Sequence, residues 1–221
     1  MSKSHPPATQ RPDPEPRWPA VLALLAVCGL RLTLPQTLAP GPDWLVIALV
    51  AALVVPAIFA HHRGYHGANQ WLGYGANAVV TLAMIWSLAL LVWALPSHRE
   101  LPKQLFRSTA VLWVSNILVF ASWYWRLDAG GPYERDLRDA HTEGAFLFPQ
   151  MTINTGTVAQ PPRNWRPGFV DYLFLAYTAS TAFSPTDTPV LSRWAKGLMM
   201  VQAAISLATI AVLAARAVSI L

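Results

Sequence analysis

Long runs of continuously apolar residues, five or six of them, constrain this chain more than any other feature. A bilayer core about 30 Å thick needs roughly 20 apolar residues per helix. Backbone groups in lipid must be satisfied within their own segment or around a closed barrel. Barrel strands alternate in polarity and these runs do not, so helices are expected. Hydrophobic residues make up 54% of the 221 and charged residues only 12%, against roughly 25% charged in a soluble domain. The charges cluster between the apolar runs. The expected fold is all-α, a polytopic transmembrane helical bundle with six hydrophobic segments, the fifth of them short and either crossing or re-entrant.

Residues 1–17 are polar and proline-rich and read as a disordered tail. Residues 18–126 form a four-helix transmembrane region, with segments at about Trp18–Leu34, Trp44–His61, Trp71–Leu95 and Gln104–Trp125. Residues 127–167 are the one long hydrophilic loop, carrying an apolar patch at 146–149 that suits a bilayer surface. Residues 168–221 form a helix-turn-helix module, with a weak apolar segment at Phe169–Ser184 and a long one from Trp194 to Leu221.

The net charge of +5 sits beside apolar runs, where basic residues set topology and meet anionic headgroups. No basic stripe interleaved with aromatics is present, so nucleic acid is not an expected partner; the lipid bilayer is. The single cysteine, Cys28, excludes an internal disulfide. His61, His62 and His66 share a glycine-containing polar stretch with no carboxylate or thiol beside them, which reads as a wet interfacial loop. No metal and no cofactor are expected. No nucleophile triad, zinc-protease motif or phosphate-cradling loop occurs, so the chain is not expected to be an enzyme.

Six crossings would place ten Lys and Arg on the side of the N-terminal tail and the long loop against six opposite. By the positive-inside rule both termini then lie on the cytoplasmic face of the inner membrane. A re-entrant fifth segment changes the division to eleven against five, with the loop side still favoured.

Polar residues inside the runs are the functional candidates. Asn77 and Asn116 lie deepest. Gln202, Ser206 and Thr209 share a helical face at i, i+4, i+7, and must meet protein or water. Asp171 opens the fifth segment, where a carboxylate favours the helix dipole.

The stretch DYLFLAYTASTAFSPTDTPVLSRWAKGLMMVQAAISLATIAVLAARAV (171–218) resembles the pore module of potassium channels: a short helix, a threonine-rich turn, an acidic residue and a long inner helix. Thr178, Ser180, Thr181 and Ala182 fall at the start of the turn. Phe183, Ser184 and Pro185 stand where the family has glycine-tyrosine-glycine, and Asp187 comes one residue late. Glycine permits backbone angles that phenylalanine and proline do not, so a potassium-selective filter of backbone carbonyls is not expected at 183–185. The resemblance implies channel-like passage of a small ion or solute along Thr178, Ser180, Thr181, Ser184 and Asp187, with Gln202, Ser206 and Thr209 opposite, and a homo-oligomer, a tetramer if channel-like. The alternative is a non-conducting membrane scaffold or partner subunit whose polar residues hold the bundle together. The stretches WRPGFVDYLFLAYTASTAFSPTDT (165–188) and LMMVQAAISLATIAVLAARAV (198–218) are also similar to a family of uncharacterised bacterial integral membrane proteins.

Overall fold

The structure, a computed structural model, describes residues 14–39, 41–94, 102–138, 141, 144–152, 165–181 and 187–218. Among these the chain is helical, with no strand beyond one isolated bridge, Phe146 to Val190. The helices are α1 (Trp18–Arg31), α2 (Asp43–His62), α3 (His66–Ala94), α4 (Pro102–Leu127), α5 (Pro132–Leu137), α6 (Pro149–Thr152), α7 (Phe169–Thr181) and α8 (Arg193–Val218). Among the described residues, four stretches are long and apolar enough to cross a membrane: Trp44–His62, His66–Ala94, Gln104–Gly130 and Arg193–Ala215. The 14 residues of α1 and the 13 of α7 reach only about 20 Å at 1.5 Å per residue, short of a bilayer core.

The central helix is α4, which packs against α1, α3, α7 and α8. Ser108, Ser115 and Ser122 recur every seven residues along it, and all three are buried. Small side chains at that spacing let neighbouring backbones approach closely, the usual way helices associate where lipid removes the hydrophobic drive. By contrast α2 pairs mainly with α3, and only 17% of its most apolar window is buried. Its outward Leu49, Val55, Ile58 and Phe59 suit hydrocarbon, not water.

Contacts fix the helix directions. In α3, Thr81 accepts a bond from Trp123 (2.9 Å) and Tyr74 donates to the Arg126 carbonyl (3.4 Å). In α1, Arg17 meets Asp136 beyond the end of α4, while Arg107 in the first turns of α4 donates to the Thr33 carbonyl. Both helices therefore run antiparallel to α4. So does α7, whose Phe169 ring meets Trp125 and whose Tyr177 ring meets Trp113. So does α8, whose Gln202 meets Tyr124 while Thr209 shares a cleft with Thr109.

Two consecutive helices antiparallel to the same partner must start at the same end. The chain therefore comes back between Thr181 and Arg193. Leu147 N–H donates to the Pro189 carbonyl (2.9 Å) and Leu191 N–H to the Ala145 carbonyl (2.7 Å), which places 189–191 beside Asp128 and the start of α7. Among the described residues, the fifth segment and the last thus begin at the same end of the bundle and run the same way. The expectation of both termini on one side rested on six crossings. Here Pro14–Arg17 lie at the end carrying Asp128, and α8 runs to the opposite end.

The aromatic residues mark two levels. Trp18 and Trp71 are exposed at the Asp128 end, Trp44 and Trp93 at the other. Trp71 and Trp93 lie about 33 Å apart along α3 at 1.5 Å per residue, close to the thickness of a hydrocarbon core flanked by interfacial tryptophans.

Some boundaries move. The polar loop expected at 61–70 shrinks to Arg63–Tyr65, because Gly64 at φ +78° closes the turn in one step and α3 starts at His66. Pro14–Arg17 are not a loose tail: Glu15 accepts bonds from Trp125 and Arg135. Residues 1–13 lie outside the described residues.

Candidate functional site

A neutral polar network joins α4, α7 and α8 at mid-bundle. Gln202 is fully buried. Its Nε2 donates to the Ala176 carbonyl (2.7 Å) and the Ser180 hydroxyl (2.8 Å), and its Oε1 accepts from the Tyr124 hydroxyl (2.5 Å). Both amide protons are used, so the side chain is satisfied within the protein. Ser206, one turn on, donates to the Ser180 carbonyl (2.7 Å). Asn116 donates to the Gln202 carbonyl (3.2 Å), while its Oδ1 has no partner among the described residues. The Ser180 carbonyl is one of the final four of α7, which lack an intrahelical donor, and Ser206 supplies one. The Ala176 carbonyl lies one turn earlier and takes the Gln202 amide as an additional donor.

The other candidates behave differently. Thr178 bonds back to the Phe174 and Leu175 carbonyls (3.0 Å each), Thr181 to Tyr177 (3.0 Å) and Thr209 to Ile205 (2.6 Å). Such back-bonding is what threonine does in a helix with no other partner. Asp187 is exposed, and Ser184 lies outside the described residues. Asn77 is fully buried, with neither amide atom hydrogen-bonded among the described residues. Ser180, Gln202, Ser206 and Asn116 are thus brought together; Thr178, Thr181, Thr209, Asp187 and Asn77 are not part of that network.

A second, charged cluster closes the end where α7 and α8 begin. Asp128, fully buried, accepts from the Ala145 N–H (2.5 Å) and the Tyr172 hydroxyl (2.7 Å), with His141 Nε2 at 3.5 Å. Arg135 donates to the carbonyls of Trp125 (2.8 Å) and Asp128 (3.0 Å) and pairs with Glu15 (2.8 Å). Its guanidinium lies 5.2 Å from the Tyr172 ring centroid. Phe146 fills the space beneath, against Tyr124, Phe148, Tyr172 and Trp194. The loop expected on the bilayer surface instead folds back as a plug, because Phe146 and Phe148 supply apolar surface that must be covered. Gly131, at φ +98°, permits the turn from α4 into α5; a Cβ there would come 2.9 Å from the Arg126 carbonyl. Asp171 accepts from the Gly168 N–H (2.7 Å), the N3-to-N-cap half of a capping box, so its role is to start α7.

Sequence reasoning passed over Glu15, Tyr124, Asp128, Arg135, His141 and Tyr172. The available signal was charge density within an otherwise charge-poor chain: Arg135 and Asp136 cannot all stay in water when the segment also carries Phe146 and Phe148. Among the described residues no group of three or more metal-ligating side chains comes together. No family model, no curated protein and no solved structure matches this chain.

Proposed function

We propose that this protein is a non-conducting, multi-pass membrane protein in which the parallel pair α7 and α8 is a closed latch, and that it acts as a scaffold or partner subunit with no catalytic step of its own. One observation carries this reading. The polar groups of α8 that a pore would need, Gln202, Ser206 and Thr209, are buried and bonded within the protomer. The outward face of α8 offers Met200, Val201, Leu207 and Ile210. A pore assembled from several copies through that face would be lined by methyl groups, with nothing to replace an ion's hydration shell. The same face suits lipid or an apolar helix of a partner.

Channel-like passage through a homo-oligomer remains the second reading, supported by the return of the chain after α7, the course a pore helix takes. In either reading the membrane is the inner membrane. The loop end, which among the described residues carries Arg17, Arg63, Arg126, Arg135, Arg138, Arg166, Arg193 and Lys196, is assigned to the cytoplasm, and the end of α8 to the opposite face.

Flux of monovalent cations and anions from liposomes loaded with the full chain distinguishes the two. The latch reading expects leak no greater than protein-free liposomes, for the parent and for Thr181→Val alike. Flux abolished by Gln202→Leu in a protein that still folds would overturn it.

A further inference from the structure

We propose that the pocket between the start of α3 and the end of α4 binds the phosphate of an anionic phospholipid headgroup. Its walls are Arg17, His66, Gln70, Arg126 and the Gly130–Tyr133 turn. The charge balance is the first reason. Arg17 is paired with Asp136 (2.6 Å), but among the described residues Arg126 has no carboxylate within ion-pair distance. Its Nε is buried without a hydrogen-bond partner, and so is Nδ1 of His66, whose ring is stacked on Tyr133 with centroids 3.7 Å apart. Glu15 is taken by Arg135, which leaves the exposed Glu134, its stem against Gly130, as the acidic residue at the rim. An unpaired guanidinium in a half-buried site is costly unless an anion meets it.

The second reason is construction. Gln70 donates to Tyr74 (2.7 Å) and to the Gly130 carbonyl (3.1 Å), fixing one wall. Gly73 admits the guanidinium: a Cβ there would fall 1.9 Å from Nη1 of Arg126. The third is place. The pocket sits at the level of the exposed Trp18 and Trp71, where headgroups lie; basic pockets between membrane helices are the usual headgroup sites. The fourth is size. Its free volume of about 20 Å³ admits one or two oxygen atoms and no sugar or base, so the ligand reaches in from outside. A phosphodiester oxygen on a tethered lipid fits that condition, and arginine is the side chain suited to it. The inference rests on the membrane reading of the long helices and is independent of whether α7 and α8 conduct.

The test is retention of phosphatidylglycerol against phosphatidylcholine by the full chain, read by native mass spectrometry from mixed micelles, with inorganic phosphate added as competitor. The parent is expected to retain phosphatidylglycerol selectively. Arg126→Gln should weaken that retention about tenfold, the scale of one charge-assisted bond, and Glu134→Gln should strengthen it. Gly73→Ala keeps the charge and favours the helix, yet displaces the guanidinium, so it should also lose selectivity in a protein of undiminished stability. Equal retention of the two lipids, or phosphatidylglycerol retention unchanged in both Arg126→Gln and Gly73→Ala, would overturn the proposal. Displacement of the lipid by millimolar inorganic phosphate would overturn it too, by reassigning the site to the free anion.

Discussion

The middle of the bundle and its loop end solve the same problem with different chemistry. At mid-bundle, where Gln202 meets Tyr124, Ala176 and Ser180, every participant is neutral. At the loop end, Asp128, Arg135, Glu15 and His141 are charged or chargeable; Asp128, Arg135 and His141 are nearly as deeply buried, and Glu15 partly so. Neutral amides and hydroxyls can be desolvated for a few kcal/mol and recover most of it through hydrogen bonds. Charges cannot, unless each is paired and its remaining lone pairs and protons are filled. The charged cluster accordingly stands at the end of the bundle, where a folded loop completes it. The neutral one stands at mid-bundle, where helices alone supply the partners. The difference teaches that depth in the bundle selects the type of polar group, and that Asp128, Arg135, Phe146 and Phe148 from the long polar segment are part of the core.

That contrast can be broken most severely at the charged end. Arg135→Met should destabilise the protein by about 3–5 kcal/mol, because Glu15 and the Trp125 and Asp128 carbonyls lose their partner in a buried site. Denaturant or SDS titration of the purified protein measures it. Pairing the change with Glu15→Gln should recover part of the loss, and an additive double mutant would show the pair to be uncoupled. Next in size, Gln202→Leu should cost about 2 kcal/mol, as the Tyr124 hydroxyl loses its buried acceptor and the tip of α7 its donors. A loss equal to that of Arg135→Met would erase the distinction between the two regions.

Smaller effects sharpen the comparison. Ala129 adopts φ 51°, ψ 30° immediately after Asp128, a left-handed conformation that costs a residue with a Cβ about 1–2 kcal/mol. Ala129→Gly should therefore stabilise the loop end by up to about 1 kcal/mol, and a loss of stability there would contradict the strained turn. Least affected should be Thr178→Val, within about 0.5 kcal/mol of the parent, since Thr178 bonds only to its own helix.

Much of the helical layout was legible in the sequence. The runs beginning near Trp44, Trp71 and Gln104 correspond to α2, α3 and α4, because twenty apolar residues in succession leave the backbone no alternative to helix. The i, i+4 pairing of Gln202 and Ser206 was legible too, since the costliest polar group must find a partner. What it would find was not. Gln202 meets Ser180 across 22 residues and Tyr124 across 78, and hydroxyl spacing within one segment says nothing of which neighbour lies opposite. Thr178 and Thr181 stood out through their likeness to a pore turn, yet they turn back to their own carbonyls.

From composition and run length alone, this chain was bound to be a helical protein with most of its surface suited to lipid, for the solvent dictates that backbone amides be satisfied locally. Direction and return were decided only in three dimensions. That α7 starts at the same end as α8, that Glu15 reaches Arg135 across 120 residues, and that Phe146 packs against Tyr172 and Trp194 near the starts of both helices all depend on long-range packing. No local pattern carries that information, because each partner is chosen by the shape and charge of a surface that exists only after the helices have assembled.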